Sequence, residues 1–340
     1  MASLMLEEAL SAPEAVAAQH MYSDERLSVL ARQLAQRPPK LALTVARGSS
    51  DHAASYFAYL TMQRLGVPVV SLPMSLMTLH RAPLAVDGAL AVALSQSGQS
   101  PDLVDTMAAL GAAGATTVAL VNKPDSPLSE ACEWAVPLAA GAERSVAATK
   151  SYIATLAAVA RLVAHWGNDR ALLAALETLP ERLADAAQQD WSAALPVLKD
   201  AERIMVVGRG LGFAVALEAA LKFKETCAIQ AEAFSSAEIK HGPMALIDEG
   251  YPLLVFAPRG PEQAGILALA DEMRGRGARV LLAAPADVAG RDLTLATADD
   301  AVLDPLTAIQ SFYVMAAHLA EARGLNPDAP RHLQKVTCTL

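Results

Sequence analysis

Short apolar runs, each closed by a turn and followed by a stretch of helical period, recur along the chain. LALTVA at 41–46, Ala89 to Leu94, TTVALVN at 116–122 and WAVPL at 134–138 predict strands, with a shorter one in VPVVSLP. Between them, SSDHAASYFAYLTMQRLG closes near Gly66 as a helix, SPDLVDTMAALGAAG predicts a second, and SYIATLAAVARLVAHW a long third. The order then begins again: ERIMVVGRGLGFAVALEAALKFKE repeats the strand, RG turn and helix of LALTVARGSSDHAASYFAYL, with Gly48 and Gly208 at matching positions. YPLLVFAP and ARVLLAA follow as the next two strands of the repeat. Strands alternating with helices, twice over, predict an α/β protein of two parallel-sheet domains with related topology.

The flanks are helical. Met5 to Met21 and Asp24 to Leu34 read as partly amphipathic helices ending at Pro38 and Pro39, suited to cover a sheet edge or pack on a partner. The more polar stretch 167–200 is helical with breaks at Pro180 and Pro196, and a last helix runs from Pro305 to Arg323 before an aperiodic tail. The expected division is an amino-terminal helical segment over 1–39, a first domain over 40–175, a linker over 176–200, a second domain over 201–325 and a tail over 326–340.

Composition narrows the class. The 340 residues are 53% apolar, enough for two cores, and much of that is alanine, which favours helices and close helix-to-sheet packing. No apolar run reaches the roughly 18 residues of a membrane span. The start MASLMLEEALSAPEA is acidic where a secretory signal is basic, so a soluble, cytoplasmic protein is expected. Cys132, Cys227 and Cys338 show no pairing or metal-ligand spacing and read as buried thiols. A net charge of -9, with 27 basic residues scattered among 36 acidic ones, argues against nucleic acid but not against a small phosphorylated ligand, which local backbone N–H groups can hold.

Three stretches carry chemistry. The strand Ala89 to Leu94 delivers Ser95, Gln96, Ser97, Gly98 and Ser100 to the sheet's carboxyl edge, where Ser100 suits a helix N-cap and Pro101 the first turn. Hydroxyls and free N–H groups around one glycine can hold a phosphate without a metal; the alternative is a serine-rich cap serving only its own helix. RGSSDH at 47–52 has the same strand, turn and helix design, which is weak evidence alone. In 219–247, helical spacing puts Lys222 and Glu225 on adjoining turns of one face, while Ser235, Ser236, Gly242 and Pro243 place Lys240 and His241 on a loop or short broken helix. Glu225 and His241 in one cleft would make a proton-transfer pair, against a plain surface pair and a tethered histidine. Glu143 and Lys150 either line a cleft or form a charged first turn, and Lys335 by itself reads as a surface lysine.

Taken together, SQSGQS, AGAERSVAATKSY, LEAALKFKE, AEAFSSAEIKHGPMALI and the terminal LQKVT resemble the double sugar-isomerase (SIS) domain family over roughly 40–340. The likeness is to the isomerase half of glutamine:fructose-6-phosphate amidotransferase and to the stand-alone second type of glucosamine-6-phosphate deaminase, with RGSSDHA, VAATKSY and AEAFSSAE nearer the deaminase branch. It implies two SIS domains, each a parallel sheet flanked by helices in a Rossmann-like or flavodoxin-like three-layer sandwich. It also implies that Ser50, Ser95, Gln96, Ser97 and Ser100 hold a sugar phosphate, with Gly48, Ser49, Val146 and Ala148 on the sugar side. Glu225 would move a proton between C1 and C2, His241 assist ring opening, Lys335 reach the open-chain sugar, and Lys222 stand beside Glu225. No cofactor or metal is implied. The partners implied are a phosphosugar and a second copy of the chain, with the active site near the interface and His241 supplied across it.

Three departures stand out. No glutaminase segment or amino-terminal cysteine precedes residue 40, so glutamine is not expected as a nitrogen donor in this chain. Ala148 replaces the family serine, and Arg47 and Gln99 also differ from the amidotransferase. The activity implied is hydrolytic deamination of glucosamine 6-phosphate to fructose 6-phosphate and ammonia. The rivals are another SIS isomerase or deaminase, acting on galactosamine 6-phosphate or a sugar-amine adduct, and a non-catalytic phosphosugar sensor.

Overall fold

The structure, a computed structural model, describes residues 2–335. Cys338, the last of the three cysteines, and the end of the LQKVT motif lie outside them. The chain falls into two compact units. The first comprises Glu14–Glu143, Lys150–Glu177 and the residues from Gln334; the second takes the chain up to Pro13, Arg144–Thr149 and Thr178–Leu333.

Helices α1 (Leu4–Leu10) and α2 (Ala12–Gln36) open the chain, followed by β1 (Ala42–Val45), α3 (Ser49–Leu65), β2 (Val69–Ser71), α4 (Ser75–Thr78), β3 (Leu90–Ser95), α5 (Pro101–Ala112), β4 (Thr116–Val121), α6 (Pro127–Ala131), β5 (Trp134–Pro137) and α7 (Lys150–Trp166). The five strands of the first unit pair in parallel in the order β2-β1-β3-β4-β5. Every residue of β1 and β3 is buried, as befits central strands covered on both faces. Helix α7 is buried over nearly all its circumference, the pattern of a helix enclosed in a core rather than laid on a surface.

Helix α8 (Arg170–Ala187) and the short α9 (Leu195–Leu198) lead to β6 (Arg203–Gly208), α10 (Leu211–Cys227), β7 (Gln230–Ser235), β8 (Pro252–Phe256), α11 (Gln263–Gly275), β9 (Arg279–Pro285), β10 (Leu293–Leu295) and α12 (Asp304–Ala322). The second sheet is again all parallel, ordered β10-β9-β8-β6-β7. Read from β7, this is the 2-1-3-4-5 order of the first sheet, that of a flavodoxin-like doubly wound fold. The α/β architecture of two parallel sheets flanked by helices is therefore as expected. Among the described residues no helix is long and apolar enough to cross a membrane.

Several local expectations are corrected. The amino-terminal helices divide at Ser11, and α2 runs without interruption through Tyr22 and Ser23. Its polar residues there are buried anchors: Gln19 donates to the carbonyls of Leu138 and Ala154 at 2.9 and 2.8 Å, and Ser23 donates to that of Pro137. Pro180 lies inside α8 instead of ending it, carried through by the buried stripe Leu172, Leu176, Leu179 and Leu183. The edge strand β7 escaped notice because it carries exposed Gln230 and Glu232. The glycine that repeats Gly48 is Gly210, not Gly208: their φ, ψ pairs are 55°, -132° and 57°, -134°. Cys227 is buried as expected but Cys132 only half so; burial pushes their thiols up to about 11 and about 12.

Within the first unit, α2, α7 and α8 are tied by charge. Buried Arg161 donates to Asp24 at 3.2 Å, Glu177 at 2.9 Å and the His20 ring at 2.9 Å, while His165 meets Asp24 at 2.8 Å. Burial pushes the Asp24 carboxyl up, but the hydrogen bond and charge of His165 and the Arg161 guanidinium outweigh it and hold its pKa below the ordinary 3.8. A carboxyl depressed on folding contributes stability above its unfolded pKa, and loses it as pH falls through the folded value. Asp24→Asn should therefore lower the unfolding free energy at neutral pH. The gap from wild type should close as pH drops below 3.8, measured by urea unfolding over that range.

Candidate active site

In the first sheet the strand order reverses between β1 and β3, so a crevice opens where these two strands end. The chain leaves β1 through Arg47 and Gly48 into α3, and the positive φ of Gly48 is one that side chains with a Cβ avoid. A Cβ built on Gly48 would meet nothing within 4 Å, so the crevice is open there. Ser49 and Ser50 form the first turn of α3, with Ser50 half-buried.

The chain leaves β3 through Ser95 to Ser100. Ser95 and Ser97 are buried, and their hydroxyl oxygens accept the N–H groups of Gly98 at 3.0 Å and Gln99 at 3.3 Å. A hydroxyl that accepts keeps its own proton to donate. Ser100 is the N-cap of α5, with Pro101 at the first helical position, yet its hydroxyl makes no cap bond. Arg47 joins the two strand ends: its Nε and Nη2 donate to Asp102 Oδ2 at 3.1 and 3.0 Å, with the Asp102 side chain fully buried.

Beside this loop lies a pocket of about 530 Å³ lined by Gln96, Asn122, Lys123, Asp125, Glu143 and Lys335 among others. Glu143 is buried; one oxygen accepts the Ser151 N–H at 3.1 Å, and the other the Ser151 hydroxyl at 2.7 Å and the Lys335 ammonium at 3.0 Å. Glu143 thus lines a cleft and Lys335 is half-buried against it, which corrects the reading of Lys335 as a surface lysine. Asn122 orders the far wall, donating to the Gly141 carbonyl and accepting from the Ala140 N–H, both at 2.8 Å.

The second unit carries the other candidate groups. On α10, Lys222 is fully buried between Glu218, 3.3 Å away, and Glu225, which it contacts directly. Tyr313 of α12 donates to Glu218 at 2.9 Å. Glu218 is wholly buried, whereas the Glu225 side chain keeps 21% of its surface exposed. Burial pulls the Lys222 ammonium down, but the charges of Glu218 and Glu225 outweigh it and hold its pKa above the ordinary lysine value. The result is a fixed cation with a carboxylate at its open end.

Lys240 and His241 ride on a single 3₁₀ turn, Ile239–His241, where both are exposed and Lys240 pairs with Glu272 at 2.6 Å. Val146 and Ala148 are half-buried in the irregular stretch before α7. The structure thus groups Gly48, Ser49, Ser50, Ser95, Gln96, Ser97, Ser100 and Lys335 in the first unit, and Lys222, Glu225, His241, Val146 and Ala148 in the second. Sequence reasoning missed Glu218, Tyr313, Asn122 and Lys123. Only Glu218 carried a signal, one turn before Lys222.

The second crevice, where β6 and β8 end, differs. A Cβ on Gly210 would lie 2.6 Å from Glu262 Oε1, so a carboxylate stands where the first crevice is open.

Two substitutions test this geometry. Gly98 has φ +63°, and a Cβ there would lie 2.2 Å from Ser126 Oγ; Gly98→Ala should destabilise by about 2 kcal/mol or more, read as a lower urea midpoint. Lys222→Met strands the buried Glu218 charge and should cost about 3–5 kcal/mol, with Glu218→Gln added to it recovering part of the loss in the same assay.

Residues 37–165 and 197–315 match the SIS domain family, two copies that cover most of the chain. The chain belongs to the SIS-domain family. Glutamine–fructose-6-phosphate aminotransferase of Methanothermobacter thermautotrophicus is 33% identical over 301 residues, covering 86% of this chain and 50% of that protein. The chain spans about half the length of the curated relatives it matches. A crystal structure from Silicibacter pomeroyi DSS-3, assigned provisionally as a phosphosugar isomerase, is 40% identical, with a TM-score of 0.91 over 96% of this chain and 100% of that one. The glucosamine-6-phosphate deaminase of Thermotoga maritima shares the fold, with TM-score 0.80 over 99% and 100% of the two chains at 21% identity.

Proposed function

We propose that the protein is a phosphosugar isomerase or deaminase, and that its reaction is proton transfer between C1 and C2 of a ring-opened aldose phosphate. The observation that carries this reading is the row Glu218, Lys222, Glu225. It leaves one carboxylate partly exposed beside a permanently charged, buried ammonium. A carboxylate so placed, partly exposed and oriented by the buried ammonium, can accept a carbon-bound proton.

The assignment of roles follows. The hydroxyls of Ser50, Ser95, Ser97 and Ser100, the Gln96 side chain and the N–H groups around Gly98 bind the phosphate. Glu225 moves the proton, and His241 acts at the ring oxygen. Lys335 faces the open-chain sugar, with Glu143 orienting it. For glucosamine 6-phosphate, the base removes the C2 proton made acidic by the C1 aldehyde. The proton returns to C1 of the resulting enolamine and leaves the imine at C2, which water hydrolyses to fructose 6-phosphate and ammonia. Glucosamine 6-phosphate is the substrate proposed, supported by the motifs RGSSDHA, VAATKSY and AEAFSSAE. Galactosamine 6-phosphate or a sugar-amine adduct is the second reading, favoured by Ala148, which gives the sugar side a methyl group in place of a hydroxyl. A homodimer is proposed with it, and sedimentation that finds a monomer at working concentration refutes that part.

The test is a panel of aldose and amino-sugar 6-phosphates scored for ketose and ammonia together. Equimolar fructose 6-phosphate and ammonia from glucosamine 6-phosphate is the expected result, and phosphosugar binding without turnover of any member points instead to a sensor. Glu225→Gln should lower kcat by about 10²–10⁴-fold while the protein still binds substrate, the range for loss of a general base; unchanged turnover removes Glu225 from the mechanism.

A further inference from the structure

We propose that Glu8, on the amino-terminal helix α1, is a positioning residue for the stretch Arg144–Thr149, and through it for the sugar end of the reaction. The catalytic half of this inference rests on the function proposed above; the mechanical half does not.

Glu8 is buried, and its negative charge is held by N–H and O–H donors. One oxygen accepts the Arg144 N–H, both lie within reach of the Ser145 N–H at 3.4 and 3.2 Å, and the second also accepts the Ser145 hydroxyl. That hydroxyl, with one proton to give, is also 3.0 Å from the Ala147 carbonyl, which shares it with the carboxylate. A buried carboxylate that gathers consecutive backbone donors is an N-cap interaction applied to a segment that is no helix.

The stretch needs such support. Residues 144–149 have no regular helix or strand structure, so their backbone groups find no ladder of their own. They carry Val146 and Ala148, follow Glu143 directly and lead into Lys150, the first residue of α7.

Seven residues of helix are too few to hold a position by themselves, so α1 must itself be fixed. It is fixed at both ends. The Asp328 carboxylate accepts the N–H groups of Leu4 and Met5 at 3.0 and 2.8 Å, and Gln310 of α12 donates to the Ala9 carbonyl at 2.9 Å. Met5 and Ala9 are fully buried. The circuit closes on the stretch itself, because Val146 N–H donates to the Asp328 carbonyl at 3.0 Å. Asp328 stands on the tail that leads to Lys335, so a carboxylate from α1 holds Arg144 and Ser145 while a residue of the tail holds their neighbour Val146. The amino-terminal helix thus acts as a strut.

Positioning predicts a signature that general stability does not. The phosphate grip lies elsewhere, on Ser50 and Ser95 to Ser100, so loosening 144–149 should misalign the sugar end while leaving anchoring of the phosphate nearly intact. Glu8→Gln, which keeps size and turns a pure acceptor into a group with its own N–H donors, is the diagnostic variant in the full chain. Amide hydrogen exchange should speed up at Arg144 and Ser145 by about tenfold or more, with β6 as protected as in wild type. With the phosphosugar that wild type turns over best, kcat should fall about 10- to 100-fold and KM change by less than about threefold. Glu8→Asp, which keeps the charge, should recover part of both losses.

Unchanged exchange at 144 and 145 overturns the grip. Faster exchange with wild-type kcat overturns the catalytic consequence. If Glu8→Gln also deprotects β6, Ser145→Ala, which leaves the carboxylate and the N–H donors in place, is read out in the same two ways, and wild-type values of both overturn the proposal. If wild type turns over no phosphosugar, the functional reading fails, and the exchange measurement alone decides whether Glu8 holds the stretch.

Discussion

A parallel sheet covered on both faces can expose chemistry only where its strands end, and that constraint governs both halves of this molecule. β1 and β3 are buried along their whole length, so a polar group within them is costly unless it finds a partner, as Ser95 does in the Gly98 N–H. The positions where polar residues cluster are those at which the chain leaves the sheet. There lie Arg47 to Ser50 and Ser95 to Ser100, and the turns that make room for them need the positive φ of Gly48 and Gly98. The Arg47–Asp102 pair braces the two exits against each other. Strand order then selects the crevice in each sheet, between β1 and β3 in the first and between β6 and β8 in the second, because there the order reverses.

The same topology occurs twice with different outcomes. Gly48 and Gly210 share one backbone conformation, but the space before Gly48 is empty whereas Glu262 stands before Gly210. A carboxylate thus fills at the second position the space that is open at the first. The second unit instead groups charges on a helix face, where Glu218, Lys222 and Glu225 follow at four- and three-residue spacing. Burial alone would favour neutral lysine; two carboxylates reverse that and keep Lys222 an ammonium. It is therefore suited to act as a fixed charge rather than to give up its proton.

Irregular stretches in both units are shaped by polar groups from elsewhere in the chain. Glu143 holds the Ser151 N–H and hydroxyl at the start of α7 and receives Lys335. Asn122 pins the turn at 140–141 through both ends of its amide. The Glu8 carboxylate and the Asp328 backbone carbonyl do the same for 144–146. For Glu143 and Glu8 a carboxyl group that is costly to bury is satisfied by backbone and hydroxyl donors.

By itself the sequence determined the alternation of strands and helices, the repeat, the phosphate-type loop at 95–101 and the helical pairing of Lys222 with Glu225. All of these rest on spacings of a few residues, which local sterics and hydrophobic period dictate. It did not show β7, whose exposed Gln230 and Glu232 broke the apolar run, nor that Gln19 and Ser23 are anchors inside α2 rather than an interruption. Tertiary structure alone decided that Lys335 meets Glu143, that Tyr313 reaches Glu218, and that Glu8 grips Ser145. These partners are separated by tens to hundreds of residues, and a charged side chain has the same identity in the sequence whether it ends in water or against a buried donor. Only packing removes the water, and with it the freedom of that charge to remain unpaired.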